Sequence, residues 1–134
     1  VTKITIHSDG AARGNPGPAG AGALLRDEEG RPVAEVCEYL GEATNNQAEY
    51  RALVLALAEA KRLGATSLAI YSDSELMVKQ VKGEYRVKNE GLRLLFKDVV
   101  KGLRAIGNYT IEHLPRERNK EADKLANRAI DENF

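Results

Sequence analysis

Tryptophan is absent from this 134-residue chain, aromatic residues make up only 5% of it, and Cys37 is its single cysteine. One cysteine excludes both an internal disulfide and a cysteine-rich zinc site, and Cys37 reads as a small buried hydrophobe. No apolar run is long enough to span a bilayer, and the opening VTKITIHSDG lacks the hydrophobic segment that directs secretion. The expected compartment is therefore the cytoplasm, with no membrane partner. Excess charge is missing too, because 20 Lys and Arg balance 20 Asp and Glu. A neutral chain exerts no general pull on a polyanion, so any nucleic-acid site must be local. The five tyrosines are scattered, which argues for places around a core and against a single-strand stacking platform.

What is present is an ordinary globular composition, 43% hydrophobic and 30% charged, at a length suited to one domain spanning 1–134. The chain starts at Val1 rather than Met, compatible with a processed protein or with one domain of something longer. Alternation around Lys3 to His7 predicts a strand ending near Asp9, and GAARGNPGPAG, with its glycines and prolines, predicts a turn. Strands are then expected over 21–26 and 32–40, with a hairpin turn at Asp27 to Gly30. Helical periodicity runs from Asn46 to Leu63, a short apolar strand from Ser67 to Ser72, and a helix from Ser74 to Val81. After a polar connector, Leu92, Leu95, Phe96, Val99 and Leu103 mark an amphipathic helix whose stripe should face the core rather than a second copy. A strand over 109–113 and a helix over 119–130 close the chain. Three strands in a meander followed by helix-linked strands predict an α/β fold with a five-stranded mixed sheet and helices on both faces.

Four carboxylates stand out against this frame. Asp9 and Asp73 each follow an apolar strand; if the two strands are adjacent and parallel, both carboxylates reach one edge of the sheet, where such sheets commonly bind ligands. Glu49, three residues after Asn46 in NNQAEY, taken alone reads as part of a helix capping box. Asp123 in KEADKLAN, taken alone, reads as an acidic residue favoured near a helix N-terminus. Together, four clustered carboxylates would repel one another unless cations compensated them, and hard oxygen ligands suit Mg²⁺ or Mn²⁺ better than zinc. Two such ions are suited to phosphodiester hydrolysis.

SDGAARGNPGPAG around Asp9, TNNQAEYRAL around Glu49, YSDS around Asp73 and HLPRERNKEADKLAN ending at Asp123 occur in the order, and in the strand and helix contexts, of type 1 ribonuclease H. The chain closely resembles that family in its compact form, over nearly its whole length. The resemblance implies the ribonuclease H-like fold with sheet order 3-2-1-4-5, and endonucleolytic cleavage of the RNA strand of an RNA/DNA hybrid. It implies two Mg²⁺ ions, with Mn²⁺ as a substitute. Asp9 would be shared by both ions, Glu49 and Asp73 would complete the one on the leaving-group side, and Asp123 would help hold the one that activates water. In-line attack would leave a 5′-phosphate and a 3′-hydroxyl with no covalent enzyme intermediate. His113, ten residues before Asp123, matches the family's mobile loop histidine, thought to help activate water or release product.

By the same resemblance, Gly10, Asn15, Asn45, Asn46, Gln47 and Ser74 contact the hybrid, and Thr44 helps hold a DNA-strand phosphate. Amides suit 2′-hydroxyls and base edges because they both donate and accept. Two departures bear on affinity. The basic protrusion with tryptophans found in some relatives is replaced by a short stretch carrying Lys79, Lys82, Arg86 and Lys88. Glu75 stands where a hybrid-contacting Gln is common, and an ionised Glu cannot donate a hydrogen bond. An altered substrate preference with intact chemistry is therefore expected, from a monomer. Arg116, Arg118 and Lys120 lie beside the presumed cleft, while His7 has only a packing or surface role. Other readings are the catalytic domain of a larger polymerase or retroelement protein, double-stranded RNA as a further substrate, and a non-catalytic hybrid-binding module. The last would tolerate loss of a carboxylate, so a complete quartet argues against it.

Overall fold

A computed structural model describes residues 2–133. Strands β1 (Lys3–Ala12), β2 (Gly17–Arg26) and β3 (Pro32–Ala43) form the meander. They are followed by α1 (Asn45–Arg62), β4 (Ser67–Ser72), α2 (Glu75–Val81), α3 (Glu90–Ile106), β5 (Asn108–His113) and α4 (Lys120–Asp131), with a short 3-10 turn at Arg116–Arg118. The sheet order is β3-β2-β1-β4-β5, with β1 antiparallel to β2 and parallel to β4, and β4 parallel to β5. No helix among the described residues is long and apolar enough to cross a membrane.

The sheet is longer than the sequence pattern suggested. Gly10 to Ala12 and Gly17 to Gly20 belong to β1 and β2, so the turn shrinks to 13–16. Gly14, at φ 119°, serves the turn itself, whereas Gly10 and Gly20 meet a space requirement. A Cβ at Gly10 would sit 2.2 Å from the Ala48 carbonyl carbon in α1, and one at Gly22 would sit 2.3 Å from the Ala122 oxygen in α4. Since Gly22 pairs with Asp9 and Ala21 with Gly10, alternate residues of β1 face opposite helices. Glycine thus lets both helices press close to the strand that carries Asp9.

The larger core lies on the α1 face. Ile4, Ile6, Leu68, Ile70 and Ile111 from the strands meet Ala52, Leu53, Ala56 and Leu57 of α1, backed by Leu92, Val99 and Leu103 of α3. Leu95 and Phe96 also pack against this core, so the α3 stripe is internal, as expected. On the other face α4 lays Ala122, Leu125, Ala126 and Ile130 over β1, β2 and β3. Cys37 is only half-buried, in β3, where its thiol donates to the Leu125 carbonyl at 3.3 Å. Of the tyrosines, Tyr50 is buried, but Tyr85 and Tyr109 are exposed, so a general core placement does not hold.

Candidate active site

β4 stops at Ser72, level with Ser8, whereas β1 continues beside β2 to Ala12. Asp9 is therefore not at a strand end; it sits within β1 at the first position beyond its parallel neighbour, with Asp73 emerging beside it. Asp9 is buried, 1% exposed, and Glu49 and Asp73 are half-buried. One carboxylate oxygen from each of these three lies within 4.8 Å of the other two.

Glu49 is free for this role because another pair caps its helix. The N-cap is Thr44, whose hydroxyl accepts from the Gln47 N–H at 3.2 Å, while the Gln47 side chain accepts from the Thr44 N–H at 2.9 Å. The expected box from Asn46 to Glu49 is thus displaced by two residues, since Asn45 already has helical geometry. Glu49 instead accepts from the Gly10 N–H at 2.8 Å.

Asp123 arrives from α4 and lies close enough to Asp9 to share a hydrogen bond with it, although it is outside the group of three. Asn127 holds it by donating to its carboxylate at 3.2 Å. The buried Asn119, which precedes α4, donates to the Ser8 carbonyl at 2.9 Å, and its own carbonyl accepts from the Asp123 N–H at 3.1 Å. Sequence reasoning gave Asn119 and Asn127 no part in the site. Their signal was their position four residues either side of Asp123, one helical turn away.

The electrostatics are those of a site short of positive charge. Burial, then the charges of Glu49, Asp73 and Asp123, push the Asp9 carboxyl up to about 10. Burial and Asp73 push Glu49 up to about 8, against the Gly10 N–H, Asp9 and the Arg116 guanidinium, which favour its ionised form. Without a cation, then, the cluster favours a protonated Asp9 over four bare carboxylates. Asp9 Oδ1 and Asp73 Oδ2 are buried without a hydrogen-bond partner, an arrangement that is unfavourable unless something binds there. Magnesium holds oxygens at about 2.0–2.1 Å, so opposite ligands lie roughly 4.2 Å apart. Adjacent ligands lie closer, about 3 Å apart, so the three oxygens would draw together from within 4.8 Å to share one ion, and the all-oxygen donor set fits a hard divalent cation.

The proposed hybrid contacts are mainly tied to structure in the free protein. Asn15 Oδ1 accepts from the Asn45 N–H at 3.0 Å and Asn45 Oδ1 from the Ala12 N–H at 3.2 Å, joining the 13–16 turn to the start of α1. Asn46 is exposed. Ser74 caps α2 by accepting from the Met77 N–H at 3.3 Å. Glu75 is exposed and pairs with Lys79 at 3.9 Å. Lys82 pairs with Glu112 at 3.1 Å, so two of the four cations in the short basic stretch are neutralised locally. His113 is exposed and is the last residue of β5, paired with Ser72, rather than part of a loop.

A family model described as reverse transcriptase-like matches residues 7–129. A bifunctional protein of Mycobacterium tuberculosis, Rv2228c, is 43% identical over 130 residues, which are 96% of this chain and 36% of that protein. Ribonuclease HI of Halobacterium salinarum is 40% identical, over 97% of this chain and 65% of its own length. The solved structure of that archaeal enzyme superposes with a TM-score of 0.94 and is covered to 98%. LC11-RNase H1, solved in complex with an RNA/DNA hybrid, is 42% identical with a TM-score of 0.91, over 96% of this chain and 97% of that one. The chain thus spans between about a third and two thirds of these curated relatives.

Proposed function

Because the chain belongs to the ribonuclease H family, we propose that it is a divalent-metal-dependent endonuclease domain that hydrolyses the RNA strand of RNA/DNA hybrids. The observation that carries the reading is the convergence of Asp9, Glu49 and Asp73 within 4.8 Å at the sheet edge, with Asp123 against Asp9. A relative solved on an RNA/DNA hybrid supports the substrate.

Asp9, Glu49 and Asp73 would hold one Mg²⁺, and Asp9 with Asp123 a second, with Mn²⁺ as a substitute. Bound there, the ions lower the pKa of water and offset charge on the departing oxygen. The protein supplies the rest. Gly10 fixes the Glu49 carboxylate through its N–H, and Asn119 and Asn127 fix Asp123. The Arg116 guanidinium offsets part of the carboxylate charge that a phosphate would otherwise meet. His113, exposed beside Ser72, would help activate water or release product. Exposed Asn46, together with Asn15, Asn45 and Gln47 at the start of α1, would offer amides to the minor groove of the hybrid, and Thr44 would help hold a phosphate of the DNA strand.

The test is cleavage of an end-labelled RNA/DNA hybrid beside DNA duplex, double-stranded RNA and single-stranded RNA, with Mg²⁺, Mn²⁺ or chelator. Metal-dependent cuts in the RNA of the hybrid, ending in 5′-phosphate, are expected. Hybrid binding by folded protein without cuts under any metal condition would make this a binding module instead.

A further inference from the structure

Because α4 covers only β1, β2 and β3, the same face of the sheet is open over β4 and β5. On that open face Tyr71 of β4 stands beside His7 of β1, its register partner, with the rings stacked at 5.1 Å and 20°. The pair forms one wall of a cleft of about 480 Å³, completed by His113, Leu114 and Arg118. That volume is within the usual range for small-ligand sites, about 300–1,000 Å³.

The composition of this cleft separates it from its neighbours. The cleft sharing His7 and Arg118, about 240 Å³, sets Arg26 and Lys120 against Glu117 and Glu121. The cavity beyond His113, about 140 Å³, contains Glu75, Glu84 and Glu112. No carboxylate lines the cleft at Tyr71, and Arg118 forms no ion pair among the described residues. Its walls therefore offer a flat aromatic surface, already held upright by a stacked partner, and one unpaired guanidinium. The matching ligand has one planar ring and one anionic group.

We propose that this cleft binds one unpaired nucleotide, with its base stacked on Tyr71 and its phosphate paired with Arg118. Stacking on an aromatic ring accepts any base, and guanidinium binds phosphate through paired N–H groups. His113, which lines the cleft, is level with Ser72 and so one residue from Asp73 at the catalytic edge. An RNA strand leaving that edge unpaired would reach the cleft directly. The assignment rests on the hybrid-cleaving reading for its biological meaning, and two sources share the chemistry: a free nucleoside monophosphate and an unpaired nucleotide at the end of a hybrid.

The only two histidines of the chain, His7 and His113, both line the cleft, so their ring signals in proton NMR report on it without interference. The whole chain, in chelator, would be titrated with adenosine 5′-monophosphate, adenosine and inorganic phosphate. Saturable movement of both histidine rings with the nucleotide, and affinity lowered about tenfold in Arg118→Gln and again in Tyr71→Leu, are expected. Rings that stay still with the nucleotide, or that move equally with phosphate alone, would overturn the proposal. A second arm compares a blunt hybrid with one carrying a single unpaired RNA nucleotide, and expects a lower KM for the latter that Arg118→Gln abolishes. Equal KM values would assign the cleft to the free nucleotide alone, provided the NMR response holds. Failure of the protein to cut either hybrid, with the NMR response intact, would remove the nuclease reading and leave the cleft standing.

Discussion

Glu49 and Asp123 approach Asp9 from opposite faces of the sheet, each from the first turns of a helix, yet the two helices are started differently. The start of α1 is capped locally, by Thr44 and Gln47 three residues apart, and only then tied to the 13–16 turn through Asn15 and Asn45. The start of α4 is fixed by Asn119 reaching the Ser8 carbonyl, 111 positions away. Local capping leaves Glu49 dependent on one further contact, the Gly10 N–H, whereas Asp123 depends on the tertiary structure from the outset. The comparison teaches that the two ligands differ in what would dislodge them, although they serve the same centre.

The largest effect is expected at the residue between them. Asp9→Asn should lower cleavage by about 10³-fold or more, given the several kcal/mol that metal contacts contribute. The same change should stabilise the metal-free fold at pH 8, because an amide stays neutral at this buried position without taking up the proton that Asp9 must bind there. The pH dependence has a definite sign. Asp9 and Glu49 are raised in the folded state, to about 10 and about 8, so the native protein binds more protons than the unfolded chain above pH 4. Their contribution therefore weakens stability as pH rises from about 4 toward those values. Thermal unfolding in chelator should show the wild type losing stability from pH 5 to 8 more steeply than Asp9→Asn, and divalent cation should stabilise the wild type more at pH 8 than at pH 6. Parallel pH slopes for the two proteins would show that Asp9 does not hold the proton assigned to it.

Asn119→Ala breaks the long-range anchor. Loss of the donor to Ser8 should destabilise the protein by about 1–3 kcal/mol and, by loosening Asp123, reduce activity about 10- to 100-fold. Thr44→Ala breaks the local cap and should destabilise by about 1 kcal/mol, with activity within about threefold once binding is saturated, because the Gly10 contact still holds Glu49. Chemical denaturation and cleavage at saturating hybrid separate the two effects. Equal losses of activity from both variants would dissolve the distinction between the helix starts.

The same contrast explains what could be read in advance. Element order and the meander followed from periodicity, and Asp73 followed from a short apolar strand that ends where expected. The strand order came from the family resemblance of four motifs. Illegible features were those in which side-chain size or distance mattered more than propensity. GAARGNPGPAG looked like a turn throughout because glycine and proline favour turns; Gly14 does serve the turn at 13–16, but Gly10 and Gly20 make room for α1 and α4. Asn46 and Glu49 had capping-box spacing, but Thr44, one residue before the actual helix, took the cap. Asn119 carried no local signal of its bond to Ser8, and nothing in two isolated residues, His7 and Tyr71, announced that adjacent parallel strands would stack them.

The smallest effect is expected at the edge of the comparison, on α2, which supplies no carboxylate to the centre. Glu75 is 63% exposed and sits 3.9 Å from Lys79, so it both repels phosphate and occupies a cation that would attract it. Glu75→Gln should lower KM for hybrid by about two- to fivefold at low salt, the scale of an exposed charge interaction, with kcat unchanged because no contact to the three-carboxylate group is lost. Screening should shrink the difference as salt rises toward a Debye length of about 8 Å. A KM that is unchanged at low salt would place Glu75 outside the reach of the substrate; a fall in kcat would instead tie α2 to the centre that Asp9, Glu49 and Asp123 share.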